Sequence, residues 1–423
     1  MMITRHIVAG LLIFAGSGFA ADEPTSKEAM VEPTEPIGER VTHSDSGYGA
    51  SHPLDIPDDA GLFIYSADGQ KALRVYGSFR LLGVLDDRQN FHAYDLNLPQ
   101  VPTGDDAYED LNSTWTINES RLGIDALLGG GRRERGAVLM RMEFDWKGTD
   151  EAFRIRHLFV RSQHWLFGKT WANLTNVPVM PTTVDGHITS AGLGARPPQI
   201  RYYNKVKSLK YQVALEYQVP SLVKPESVEA EGRVVIPALA GSLTLENKVA
   251  TLVFAGLAKQ NRVQFTGKIK EAQNIFGYGG VLAGKLNIGE HTTFKFSLNA
   301  NVGTASSIAD WGYTDIDLIY NPRTGEFENS EVVGGYLAFE HKWSRTLSST
   351  IGIGYLDVRN KDFENDLAFS DGTKPLLNLF YRPIKPPWKG LVVGAEVEFA
   401  ERINKDQSTS DTTRFSVLVY YDF

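Results

Sequence analysis

From Leu73 to Phe423 the chain alternates apolar and polar residues with a period of two. In Leu73–Leu85 the odd positions read Leu, Val, Gly, Phe, Leu, Gly and Leu, with Arg74, Tyr76, Ser78 and Arg80 between them. Leu209, Tyr211, Val213 and Leu215 alternate with Lys210, Gln212, Ala214 and Glu216, and Phe294, Phe296 and Leu298 with Lys295, Ser297 and Asn299. The final run sets Phe415, Val417, Val419, Tyr421 and Phe423 against Arg414, Ser416, Leu418, Tyr420 and Asp422. A strand with different surroundings on its two faces has this period. A soluble sandwich alternates too, so the period alone leaves the class open.

Three further features narrow it. Sixteen such runs begin near residues 73, 118, 134, 153, 165, 198, 209, 233, 250, 275, 292, 331, 348, 375, 391 and 412. Single-chain bacterial membrane barrels use even numbers of strands. Connections after even runs are mostly brief, such as GGGRRE, SQH and GEH, whereas the long ones, 86–117, 172–197, 220–232, 260–274, 303–330, 360–374 and 403–411, follow odd runs, except for the short turn Gly148 to Glu151 after the third. Short turns at one end and long loops at the other is the outer-membrane arrangement. Trp146, Trp165, Trp171, Trp343, Trp388 and Tyr421 stand near strand ends, where aromatic girdles form. The expected fold is all-β: a 16-stranded antiparallel transmembrane β-barrel with the long loop after strand 5 folded inward.

Beyond the N-terminal segment there is no apolar run long enough for a membrane helix. Residues 1–21 carry Arg5, an apolar stretch from Ile7 to Phe14 and small residues before Ala20 and Ala21, which predicts a cleaved signal peptide. Residues 22–60 are rich in Pro, Glu and Ser and are expected to form a flexible acidic periplasmic extension. Residues 61–72 form a short pre-barrel segment, and the barrel itself spans 73–423. Of the net charge of -8, the stretch Asp22–Ala72 carries 11 acidic and 3 basic residues, so the barrel region is close to neutral. Within it, residues 121–210 hold 15 Lys and Arg against 7 Asp and Glu. With no cysteine, disulfides and thiolate metal sites are excluded.

The stretch Phe153–Tyr203 concentrates the candidate chemistry. Strand parity puts Arg154 and Arg156 on one face and Phe153, Ile155 and Phe159 on the other. The same reasoning turns Arg74, Arg80, Arg121, Arg141 and Arg201 into the lumen, Arg201 together with Gln199. An always-charged planar guanidinium suits carboxylates, and a ring of them sets anion preference in a pore. Pairing with Asp125, Glu143, Asp145 and Asp185 is the alternative, and the basic excess argues against its being complete. The Pro-, Gly- and Thr-rich loop 172–197 is expected to narrow the pore, with Asp185 as a local opposite charge and Lys169 and Arg196 at its two bases. On this reading Arg154→Ala with Arg156→Ala weakens anion preference and leaves folding largely intact.

LRVYGSFRL, NESRLGID, FRIRHLFV, FGKTW, PTTVDG and ARPPQIRYYN resemble the DcaP-like dicarboxylic acid outer-membrane porins, most clearly over residues 73–220. The resemblance implies a trimeric 16-stranded barrel that admits small anionic solutes, dicarboxylates in particular. Some members carry an N-terminal coiled coil, but residues 22–60 contain no heptads. The expected function is therefore passive diffusion of small anions, with outer-membrane lipid, the solutes and two further copies of the chain as partners. A general or sugar-permeating porin and a structural or adhesive barrel are the alternatives. No cofactor, metal or nucleic acid is expected: the histidines lack metal-ligand spacing, and G-x-S-x-G and phosphate-binding glycine motifs are absent.

Overall fold

The computed structural model describes residues 61–88, 95–104, 110–128, 138–147, 152–184, 192–266, 272–308, 316–388 and 390–423. The expected signal peptide, the acidic extension and Asp185 lie outside them.

The alternating runs pair with their sequence neighbours into a closed antiparallel barrel of sixteen staves. They are β1 (Ala72–Asp86), β2 in two pieces (Asn112–Thr116 and Arg121–Leu128), β3 (Val138–Asp145), β4 (Arg154–Arg161), β5 (Trp165–Lys169) and β6 (Pro198–Val206). β7 (Leu209–Glu216), β8 in two pieces (Ala230–Arg233 and Ala238–Glu246), β9 (Ala250–Phe265), β10 (Ala272–Ile288) and β11 (Thr292–Val302) follow. β12 (Glu331–Lys342), β13 (Leu347–Val358), β14 (Phe369–Tyr381), β15 (Leu391–Asn404) and β16 (Thr409–Asp422) complete the wall. Closure comes from β1 pairing with β16, from Ser78 opposite Asp422 to Asp86 opposite Arg414. Below Gly77, whose N–H and carbonyl both bond Phe423, that side of β1 is taken by the short strand Leu62–Tyr65.

Two of the connections expected to be long are strand instead. Residues 250–265 and 272–288 run past the expected 260–274 loop, and β15 and β16 leave only 405–408 between them. Consecutive polar residues there, Gln260 to Arg262 and Thr409 to Thr413, put polar side chains on both faces, so these strands extend beyond the apolar belt and lose the alternation that marks the others. Among the described residues no helix is long and apolar enough to cross a membrane.

Side chains that alternation turned outward are exposed, Phe79 at 52%, Leu298 at 57% and Ile351 at 58% among them. The apolar core inside the barrel is made differently from that of a soluble sandwich. Long connections enter the lumen and pack on the wall, those after β1 and β5 chiefly against β8–β15. From the connection between β1 and β2, Leu96, Leu98 and Val101 are buried. Lys374 donates to the Leu96 carbonyl (2.9 Å), and Arg402 to those of Pro99 (2.7 Å) and Val101 (3.0 Å).

From the connection between β5 and β6, Leu174, Val179 and Leu193 join the same cluster, together with Ala305, Ile308 and wall residues such as Val253 and Leu356. This loop is tied to successive staves by lumen-facing side chains. Glu216 accepts from the Asn173 N–H (2.8 Å), and Asn173 donates to the Ala240 carbonyl (3.3 Å). Lys295 donates to the Met180 carbonyl (2.8 Å) and Tyr336 to that of Val179 (3.1 Å). Glu340 accepts from the Thr182 N–H (2.7 Å) and Glu396 from the Val184 N–H (3.0 Å). A chain without its own ladder satisfies its backbone groups this way.

Candidate functional site

Opposite the packed loops, β1–β6 present a wall of arginines and carboxylates in register. Arg74 stands across from Asp125, and Asp125 across from Arg141. Arg121 stands across from Asp145, and Asp145 across from Arg154. Cross-strand neighbours on one face are close enough to interact. Asp125 accepts from Arg141 at 2.8 Å through both oxygens and from Arg74 at 3.2 Å. Asp145 accepts two bonds from Arg154 (3.0 and 2.6 Å) and one from Arg156 (3.1 Å), and Glu143 accepts from Arg156 at 3.0 Å.

The arginines are thus paired far more fully than the basic excess suggested. They still outnumber the acids, because Arg74, Arg121, Arg141, Arg154 and Arg156 share Asp125, Glu143 and Asp145.

A β-bulge shapes the middle of this wall. Register between β3 and β4 shifts between Glu143 and Phe144, which leaves Arg156 unopposed. Arg156 and His157 are consecutive and both buried, and the parity of everything after them is inverted. Leu158 faces outward, and Phe159, expected outward, is packed inside with Leu139 and Leu166. An extra residue in one strand has this effect, and strict alternation conceals it.

Tyr76 holds the wall together, and sequence reasoning missed it. Its ring crosses β2 over Gly123 and its hydroxyl donates to Glu143 at 3.0 Å. The Arg74 and Arg141 guanidinium groups lie 4.1 and 5.5 Å from the ring centre. A Cβ at Gly123 would stand 2.2 Å from the Tyr76 ring, so only glycine leaves this path open. Gly123→Ala is expected to push the ring aside and cost roughly 1–3 kcal/mol, the usual range for overpacking. Thermal unfolding of the folded barrel checks it, and an unchanged midpoint would show that the ring has room to move.

The other candidates are distributed around this wall. Arg80 is buried beside Ser78 (3.2 Å) with the Tyr420 ring 4.8 Å away. Arg201 donates to Gln199 (2.8 Å), Gln212 (3.0 Å) and the Trp171 carbonyl. Lys169 pairs with Leu158 and Pro198, which are both exposed, at the rim where Gly168 adopts a φ of 129°, and lies within electrostatic reach of Arg196, Arg154 and Asp145. Trp171, expected in an aromatic girdle, lies against His157, ring centres 5.7 Å apart, and its carbonyl also accepts from Gln199 (3.1 Å).

Arg196 lies over the Trp171 ring, 4.3 Å from its centre, and has no ion pair or hydrogen bond among the described residues. It is within electrostatic reach of Arg154, Arg156 and Arg121, with Asp145 as the opposing charge. A loop-borne guanidinium therefore stands over a wall that already carries excess positive charge. Such an arrangement can concentrate and orient carboxylates.

A family model described as the DcaP outer membrane protein matches residues 64–423. Among solved structures, the outer membrane channel DcaP of Acinetobacter baumannii superposes with a TM-score of 0.72 at 20% identity, covering 86% of this chain and 100% of that one. An anion-selective porin from Comamonas acidovorans gives a TM-score of 0.54 at 9% identity, over 84% of this chain and 100% of its own. The trimer form of OmpT of Vibrio cholerae gives 0.53 at 14% identity, over 84% and 99%. No curated protein matches the chain.

Proposed function

The chain belongs to the DcaP outer membrane protein family, and from that premise we propose that this outer-membrane channel passes small anionic solutes, dicarboxylates in particular, by diffusion along the arginine wall. Arg196 carries the reading: it is stacked on Trp171, has no ion pair among the described residues and faces other guanidinium groups. A cation entering there meets uncompensated positive charge, whereas a carboxylate gains an unshared partner. Arg74, Arg121, Arg141, Arg154 and Arg156 act as a fixed field, held in place by Asp125, Glu143, Asp145 and Tyr76. Arg80 and Arg201 flank that field. Lys169, at the rim, belongs to the entrance. The inward loop sets the size limit by filling the opposite side of the lumen.

The family likeness also supports a lipid-facing outer belt and assembly as a homotrimer, while export by a signal peptide over residues 1–21 and an acidic periplasmic extension over 22–60 rest on the sequence alone.

The test is the reversal potential of the reconstituted protein under a KCl gradient. Anion preference is expected at low salt and should shrink as the Debye length falls from about 10 Å at 0.1 M to about 3 Å at 1 M. Arg196→Ala should lower the low-salt preference severalfold without loss of the barrel. Cation preference in the unaltered protein would sink the reading, and equal passage of sugars and carboxylates would favour a general porin.

A further inference from the structure

The short turns between staves carry mostly one sign of charge. Among their described residues stand Lys207, Lys248, Arg345, Arg382 and Lys385, with Lys342 at the end of β12, against the single acid Glu290. The opposite end differs: between β13 and β14, Asp362, Glu364 and Asp366 outnumber Arg359 and Lys361. We propose that the sector of the short-turn rim from β12 to β15 docks the phosphate headgroups of anionic phospholipid in the adjoining leaflet. The proposal follows from the barrel fold and does not depend on what the pore passes.

Position relative to the apolar belt supplies the first reason. On β12 the outward residues Val333, Leu337 and Phe339 are exposed, and their row ends at Trp343, 63% exposed. On β14, Leu377, Leu379 and Tyr381 lead in the same way to Ile384 and to Trp388, 61% exposed. Indole rings mark the boundary between acyl chains and headgroups. Lys342, Arg345 and Lys385 are exposed and lie one to three residues from these two tryptophans, which sets their charged heads at the level of lipid phosphate. None of these three side chains has an ion pair or hydrogen bond among the described residues, so each can reach outward.

The turns are also built to hold these groups side by side. The Arg382 N–H donates to the Thr346 carbonyl at 2.8 Å, which joins the β12–β13 turn to the β14–β15 turn. Ser344 Oγ accepts from the Thr346 and Leu347 N–H groups, both at 3.1 Å, and fixes the turn that carries Arg345. The Trp343 indole donates to Ser349 at 2.9 Å and packs on His341, ring centres 4.4 Å apart, so the exposed ring is anchored. Arg382 itself bonds Ser348 at 2.8 Å and lies over the buried Phe380 ring, which leaves the outer positions to the other three cations. Ammonium and guanidinium groups donate strong, charge-assisted bonds to phosphate. A zwitterionic headgroup brings its own cation into this positive surface, so a net-anionic lipid fits better.

The experiment places the full chain in phosphatidylcholine vesicles and titrates in brominated phosphatidylglycerol or brominated phosphatidylcholine, with quenching of tryptophan fluorescence as the readout. The part of the signal lost in Trp343→Phe with Trp388→Phe belongs to this sector. That part is expected to be quenched severalfold more readily by the anionic lipid, and the difference should shrink at about 1 M salt. Lys342→Gln with Arg345→Gln and Lys385→Gln should bring the two lipids level while the protein still forms channels. The charge-keeping set Lys342→Arg, Arg345→Lys and Lys385→Arg should retain the preference. Equal quenching by both lipids in the unaltered protein, or a preference that survives the glutamine variant, would overturn the proposal. Inorganic phosphate that abolishes the preference where chloride of equal ionic strength does not would reveal a site for free phosphate and overturn the lipid assignment.

Discussion

Replacing Arg154 and Arg156 together by alanine is expected to remove most of the anion preference and to weaken the barrel itself. Asp145 takes three of its bonds from these two guanidinium groups, and Glu143 takes one. Both carboxylates are buried. Leaving a buried charge without its partner costs up to about 3–5 kcal/mol, a ceiling here because Arg121 still stands opposite Asp145 and Tyr76 still donates to Glu143. The wall then carries Arg74, Arg121 and Arg141 against Asp125, Glu143 and Asp145, so that among these groups the excess falls from two to none and Arg196 faces a balanced wall. Reversal potential reads the first effect, and the temperature at which the folded barrel unfolds reads the second. Adding Glu143→Gln and Asp145→Asn should recover stability but not selectivity. A double-alanine variant as stable as the parent would show that water reaches these acids and that the pairs contribute little.

Shortening the inward connection, with residues 174–193 replaced by a brief Gly/Ser link, is expected to raise single-channel conductance severalfold and to admit larger solutes. The barrel ladder does not depend on this segment, since it is held mainly through wall side chains rather than by strand pairing. Its removal frees Glu340 and Glu396 from the Thr182 and Val184 N–H groups they now accept from. It also takes away the apolar packing on β8–β15. The widened lumen would therefore be more acidic on that side, and anion preference should fall as conductance rises. Unchanged conductance would mean that the solute path avoids this loop.

The barrel was legible from alternation because each stave separates two environments over many residues, and the starts of the sixteen runs fall on or near the observed strands. The direction of Arg74, Arg121, Arg141 and Arg201 followed from the same period. What alternation cannot carry is register: that Asp125 falls opposite both Arg74 and Arg141 depends on how far β1, β2 and β3 slide past one another. That is why the double-alanine variant looks harmless to folding from sequence alone. The bulge at Arg156 was hidden for a related reason, since one unpaired residue changes the face of every later side chain of that strand without changing the composition. Loop destinations were the least legible. The run Leu96, Leu98, Val101 is the one signal that the connection after β1 goes inside, because three large apolar residues in a loop need something to cover them.

The seam between β1 and β16 joins residues from nearly opposite ends of the barrel sequence, so it has the costliest loop to close and is expected to form late. Until then β1 would present an unpaired edge, the kind of edge at which strands of different molecules join. The strand Leu62–Tyr65 changes this, because its pairing with Ala72–Val75 is local and can form at once. It shields the lower part of β1 while the upper part waits for Thr409–Asp422. Removing residues 61–66 should therefore show less in the finished barrel than in the yield of refolding, where the longer bare edge leaves more time for wrong partners.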